Sequence, residues 1–171
     1  MAKKMLSEEV IKDLEDFIAN PVGIVLFAGP NGRGKSFAAR YIYSRISRFK
    51  LPLRDWDQAW FINQTELNIM VTKEQAERGH SMGILTQAQK TQFLVLDDLG
   101  TRAPSVAFTD FLYGIADLRY EERETKGTII TTNLSSTKIR EQFGDAFFSR
   151  MASGRNYIFE GPDRRFEELG F

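Results

Sequence analysis

Residues 29–36 read Gly29-Pro-Asn-Gly-Arg-Gly34-Lys35-Ser36, two glycines separated by four residues and followed at once by Lys and Ser. Upstream, residues 23–28 (Gly-Ile-Val-Leu-Phe-Ala) form a short continuous apolar run. That is the pattern of a strand buried on both faces of a parallel sheet. Downstream, residues 35–48 carry a helical pattern, so the glycine-rich stretch is expected to be a loop between a strand and a helix. Glycines allow the backbone to wrap closely around an anion with its amides pointing inward, and the helix that follows offers its positive end. In such a loop Lys35 reaches the β- and γ-phosphates of a nucleotide and Ser36 ligates magnesium. The candidate nucleotide-binding residues are therefore Gly29, Pro30, Asn31, Gly32, Arg33, Gly34, Lys35, Ser36 and the adjoining Phe37.

Working outward, residues 6–18 repeat apolar side chains at helical spacing, with Ser7 as a cap, Leu6 as a staple onto Ile11, and Asn20-Pro21 as the stop. Residues 60–62 suit a second strand, 65–76 a helix and 78–83 a surface loop. A third strand over 93–96 runs straight into Asp97-Asp98. Past a loop over 100–104, Ser105 caps a helix whose stripe is Phe108, Phe111, Leu112, Ile115 and Leu118. Residues 127–132 read as a fourth strand, 137–143 and 145–152 as two short helices, and 156–160 as a last strand. Strands alternating with helices imply an α/β fold around a mostly parallel sheet, with ligands beyond the carboxyl ends of the strands.

A buried third strand would deliver Asp97 and Asp98 beside the phosphate loop. Two adjacent carboxylates repel each other unless a cation offsets them. Asp97 is the candidate for holding magnesium through water, and Asp98 for orienting or deprotonating the attacking water. Asn133 follows the fourth strand, where an amide would hydrogen-bond a γ-phosphate or the lytic water, although Asn also suits an ordinary turn. Arg150 lies on a short amphipathic helix; it is either a solvated charge or an arginine finger that offsets transition-state charge in a neighbouring subunit.

Taken together these residues resemble the AAA+ domain of the DnaC/DnaI helicase loaders and of the related IstB transposition helper ATPases. The likeness runs from about Phe17 to Arg165. Residues 29–36 resemble the Walker A loop and 93–100 the Walker B segment, with Asp97 at the metal position and Asp98 at the catalytic acid. Thr131-Thr-Asn133 looks like the sensor-1 segment, and residues 143–151 are similar to the box holding the trans-acting arginine, which makes Arg150 the finger. Arg165 matches a recurrent arginine of the terminal segment.

The resemblance implies a P-loop NTPase of AAA+ or RecA-like architecture. That is a three-layer sandwich around a five-stranded sheet, without a C-terminal helical lid because the chain stops soon after Arg165. Residues 1–20 are expected to form an N-terminal amphipathic helix and 21–171 the ATPase core. It further implies ATP and Mg2+ as cofactors, ATP hydrolysis with Lys35, Asp98, Asn133 and Arg150 as catalytic groups, and self-association into a spiral or ring. A replicative hexameric helicase and single-stranded DNA are the expected partners. A transposase is the alternative partner, and a small-molecule P-loop kinase the alternative enzyme. Many AAA+ proteins carry Glu where Asp98 stands, one methylene longer, so slow hydrolysis is expected.

Composition sets the outer limits. A chain of 171 residues is one domain's worth. No apolar run approaches the ~18 residues of a membrane span, and the absence of cysteine rules out disulfides and thiolate metal sites. A cytoplasmic protein is expected. The 23 basic and 23 acidic residues balance, so a nucleic acid would need a local patch. Candidates are Arg102 in the loop after the acids and a cluster of Arg45, Arg48, Lys50 and Arg54. Trp56 and Trp60 are expected to be buried rather than stacked on bases, and His80 is given no chemistry.

Overall fold

The computed structural model describes residues 8–49 and 58–161. Five strands, β1 (Gly23–Ala28), β2 (Ala59–Asn63), β3 (Phe93–Leu99), β4 (Gly127–Thr132) and β5 (Arg155–Ile158), alternate with six helices, α1 (Glu8–Ala19), α2 (Lys35–Phe49), α3 (Gln64–Arg78), α4 (Met82–Lys90), α5 (Val106–Glu121) and α6 (Ser136–Met151). The sheet order is β2-β3-β4-β1-β5 and every pair is parallel.

The period of two along each strand splits the core into two halves. Ile24 and Leu26 of β1, Leu94 and Leu96 of β3, and Ile130 of β4 face α3, α4, α5 and α6. Val25, Phe27, Phe93, Val95 and Ile129 face α1 and α2, against Leu14, Phe17, Ala39, Ile42 and Ile46. Both faces are covered, which is why these strands read as unbroken apolar runs. From β1 the chain crosses by α2 to β2 at one edge, whereas from β4 it passes by α6 to β5 at the other. The paths leaving the adjacent carboxyl ends of β1 and β4 therefore diverge, and a crevice opens between them.

Several elements differ from the sequence reading. The loop expected over 78–83 is only three residues long, because α3 runs to Arg78 and α4 begins at Met82. Ser81 makes no side-chain cap there. Glu74 on α3 caps α4 instead, its carboxylate accepting the amides of Gly83 and Ile84 at 3.0 Å each, so the start signal is 9 and 10 residues away from the helix it starts. The last strand spans Arg155–Ile158 rather than 156–160, although the Phe159 amide still donates to Ala28 O at 2.8 Å. The two short helices are continuous except for a kink at Gly144 (φ 80°, ψ 161°). Ser7, Leu6, Lys50, Arg54, Trp56, Arg165 and the side chain of Arg48 lie outside the described residues.

Two polar ties hold the layers. Arg119 is buried to 1% exposure and donates to the carbonyls of Thr91 (2.6 Å), Gln92 and Gly127 and to the Thr128 hydroxyl (2.7 Å), joining α5 to the amino ends of β3 and β4. Burial pulls its guanidinium down to about 10, so it stays charged at neutral pH. On the other face, Asp13 of α1 accepts Tyr157 Oη and, at 2.9 Å, Arg155 Nε of β5. Burial works to raise the Asp13 carboxyl, and these two partners outweigh it and hold it below the ordinary range. Burial and the same bond push the Tyr157 phenol up.

Candidate functional site

The phosphate-type loop closes on itself at the carboxyl end of β1. Gly29, Gly32 and Gly34 take φ of 138°, 74° and 88°, conformations that side chains disfavour. Gly29 carries a second constraint, since a Cβ there would stand 2.3 Å from the Phe159 carbonyl oxygen. Lys35 is buried and its Nζ donates to Pro30 O at 2.8 Å across the loop. Ser36 follows in the first turn of α2, where backbone amides have no partner within the helix. Phe37 is 51% exposed, an accessible apolar surface beside the loop.

At the carboxyl end of β3 the geometry was not legible in the sequence. Leu96 pairs with Ile130 and Leu99 with Thr132, so Asp97 and Asp98 together oppose the single residue Thr131. This is a β-bulge, a device that turns a strand and re-aims its side chains. Asp98 takes φ 61°, and it is the one non-glycine residue in the left-handed region among those described. Thr131 fills the gap with one hydroxyl, which donates to Asp97 Oδ1 at 2.7 Å and accepts the Asp98 amide at 2.8 Å. Asp97 is 4% exposed.

The two halves of the crevice touch. Arg40 reaches within 3.9 Å of Asp97 Oδ2 while its guanidinium lies over the Phe61 ring. Ser36 and Arg40 are four residues apart on α2 and share a face, so the face bearing Ser36 looks toward Asp97. Asn133 Nδ2 donates to Asn31 Oδ1 at 3.3 Å, tying the end of β4 to the loop. Thr132 steadies that end, since its hydroxyl donates to Leu99 O and accepts the Leu134 amide. Arg33 buries Nε and Nη1, and Asn133 buries Oδ1, without a protein partner. Orphaned donors on the loop fit an anion, and an orphaned acceptor beside it fits a water held against that anion. A triphosphate with its metal suits these residues.

Arg150 is not part of this cluster. It lies in the last turn of α6, and Gly154 just beyond that helix packs on the Ile24 carbonyl, near the amino end of β1. The loop lies past Ala28, at the opposite end of β1 from Gly154, so Arg150 stands toward the amino ends of the strands and the loop beyond their carboxyl ends. Arg102 is exposed in the loop after β3, whose backbone is pinned by buried Gln64: Oε1 accepts the Gly100 amide and Nε2 donates to Arg102 O at 2.9 Å. Trp60 packs partly buried on the core, and Arg45 donates to Tyr41 Oη at 3.2 Å.

A family model described as "IstB-like ATP binding protein" matches residues 2–153. The chain belongs to the IstB-like ATP binding protein family. No curated protein sequence matches it significantly. Among solved structures, the DnaC helicase loader superposes with a TM-score of 0.70 at 22% identity over 89% of each chain. DnaI superposes at 0.69 with 19% identity, over 89% of this chain and 82% of that one. The replication initiator DnaA bound to AMPPCP and single-stranded DNA gives 0.76 at 13% identity, over 97% of this chain and 52% of that one, so the chain spans about half of DnaA's length. These likenesses show the fold. An IstB-like ATP binding protein built on the P-loop AAA+ architecture is the combined result. No described helix is long and apolar enough to cross a membrane.

Proposed function

We propose that this protein hydrolyses ATP at the β1–β4 crevice and uses the cycle to load or remodel a replicative hexameric helicase on single-stranded DNA. In this reading residues 21–171 are the ATPase core and 1–20 an N-terminal segment that carries α1. The loop 29–36 cradles the phosphates and Lys35 exchanges Pro30 O for phosphate oxygens. Magnesium, when bound by Ser36 and through water by Asp97, offsets charge on the β- and γ-phosphates. Asp98 orients the attacking water and the unpaired Asn133 Oδ1 accepts a hydrogen bond from it. Arg40, 3.9 Å from Asp97 Oδ2, offsets part of that carboxylate's charge.

The observation that carries this reading is the separation of Arg150 from the crevice. The other candidate catalytic groups lie at the carboxyl ends of the strands, while the arginine stands toward their amino ends. A second copy is needed to bring it to a nucleotide, as in a trans-acting finger. The test is ATP hydrolysis measured against protein concentration, with and without single-stranded DNA. Specific activity should rise with concentration. Lys35→Ala and Arg150→Ala should each be inactive, and mixing them should restore part of the activity. A small-molecule kinase would instead yield a phosphorylated acceptor with no concentration dependence.

The family match over 2–153 favours a second reading, a transposition helper ATPase. It uses the same ATP residues and differs in partner: pull-down would recover a transposase in place of a hexameric helicase.

A further inference from the structure

Helices α5 and α6 run side by side in the same direction. Tyr113 meets Phe147 edge-on with ring centroids 6.0 Å apart, and Phe147 rests 5.2 Å from Phe143. Phe143 and Phe147 are both 1% exposed, so this seam is anchored in the core. One turn further along, Asp117 Oδ1 lies 2.6 Å from Arg150 Nε. The pair borders a shallow cavity of about 400 Å³ that Tyr120, Glu121, Ala146 and Ser149 complete. The Arg150 side chain is 33% exposed and that of Asp117 50%, so the cavity opens to whatever docks on this face.

The contact uses one particular nitrogen. A guanidinium held through Nε keeps Nη1 and Nη2 for other acceptors, and that pair matches two oxygens of a phosphoryl group. A long arginine must otherwise lose its rotamer freedom at the moment of docking. Here a carboxylate beside a buried seam draws the guanidinium toward α5 beforehand. The pair is exposed enough that its strength is modest, so it restrains the arginine without locking it away.

We propose that Asp117 is a positioning residue for Arg150: by engaging Nε it presents both Nη nitrogens to the phosphates of a nucleotide bound by a second copy of the chain. The inference rests on the trans-finger reading above and adds to it the group that aims the finger.

The experiment is the subunit-mixing assay, with ATP hydrolysis as the readout. Arg150→Ala protein supplies an intact nucleotide site without a finger, and Lys35→Ala protein supplies the finger without a site. Replacing the second partner by the Lys35→Ala, Asp117→Ala double variant should lower the restored kcat roughly three- to fivefold with KM for ATP unchanged. Asp117→Asn in the same background keeps an acceptor for Nε and should recover most of the loss. Placing Asp117→Ala in the Arg150→Ala chain instead should change nothing, because that chain's finger is already gone.

Full restoration by the Lys35→Ala, Asp117→Ala chain, or a rise above the control, would overturn the positioning role; a rise would make Asp117 a latch on the finger. A lower rate from Asp117→Ala in the Arg150→Ala chain would also overturn it, since the effect would then not pass through Arg150. The underlying reading fails separately, by wild-type activity of Arg150→Ala alone or by no restoration in the control mixture at high concentration.

Discussion

Thr131 donates its hydroxyl hydrogen to Asp97 Oδ1 at 2.7 Å. The Thr131 hydroxyl oxygen itself accepts the Asp98 amide at 2.8 Å, so one β4 side chain holds both residues of the bulge in place. Hydrogen bonds to buried charged groups contribute about 1.5–3 kcal/mol. Thr131→Val keeps the shape and removes the donor, and is expected to lower the melting temperature by about 5 °C. It should also raise the magnesium concentration required for half-maximal ATP turnover, because Asp97 is no longer fixed. Thr131→Ser should restore both. A Thr131→Val protein with unchanged magnesium dependence would show that the hydroxyl serves the fold alone.

The left-handed backbone at Asp98 separates the acid's chemistry from its conformation. Asn and Asp tolerate φ near 60° better than longer or branched residues. Asp98→Asn should therefore melt like the parent and bind ATP, while turnover falls on the order of a hundredfold, the effect of losing a positioned acid or base. Asp98→Glu lengthens the acid but sits poorly at φ 61°, and should cost about 1 kcal/mol of stability. The bulge thus gives a physical reason for a short acid where many AAA+ proteins carry the longer one. Undiminished hydrolysis by Asp98→Asn would remove Asp98 from the chemistry.

What the sequence made legible follows from how local each signal is. The loop 29–36, the apolar runs of β1, β3 and β4, and the Ser105 cap, which accepts the Phe108 amide at 3.3 Å, are written in consecutive residues. Helix α4 was not, because its cap is Glu74 on another helix and only Ile84 and Ala88 mark its buried side. The bulge was invisible for a similar reason. Asp97-Asp98 reads as the end of a strand, and only pairing with β4 reveals two residues facing one. Arg40, Gln64 and Thr131 join the site through contacts spanning 33 residues or more; nothing local separates Arg40 and Gln64 from ordinary helix positions, and the segment of Thr131 points to Asn133 rather than to the threonine.

Arg119 illustrates a residue whose chemistry would mislead if read from its type. An arginine between phosphate loop and domain end invites a catalytic role, yet its donors are spent on the carbonyls of Thr91, Gln92 and Gly127. Arg119→Met leaves several buried acceptors short of a donor and should destabilise the protein by about 3 kcal/mol or more. Arg119→Lys should recover little of this, since an ammonium cannot fork across the amino ends of two strands. At a temperature where both variants remain folded, the ATP dissociation constant should match the parent's. A large loss of ATP affinity without loss of stability would contradict this structural role.

Gln64 links the acidic strand end to the exposed arginine that follows it. Its oxygen accepts the Gly100 amide and its nitrogen donates to Arg102 O, so the shape of the loop bearing Arg102 depends on one buried amide. Gln64→Leu orphans both backbone groups and should cost about 2 kcal/mol. With Arg102 as the candidate contact to single-stranded DNA, the variant should keep ATP binding while losing most of its DNA stimulation. Gln64→Glu divides the two bonds, because a carboxylate accepts the Gly100 amide but offers no donor to Arg102 O. It should retain most of the stability and still lose stimulation. Comparing DNA-stimulated hydrolysis in these two variants with Arg102→Ala decides the matter: wild-type stimulation in all three would exclude this loop from the DNA path, whereas a shared loss would assign the contact to Arg102 and its positioning to Gln64.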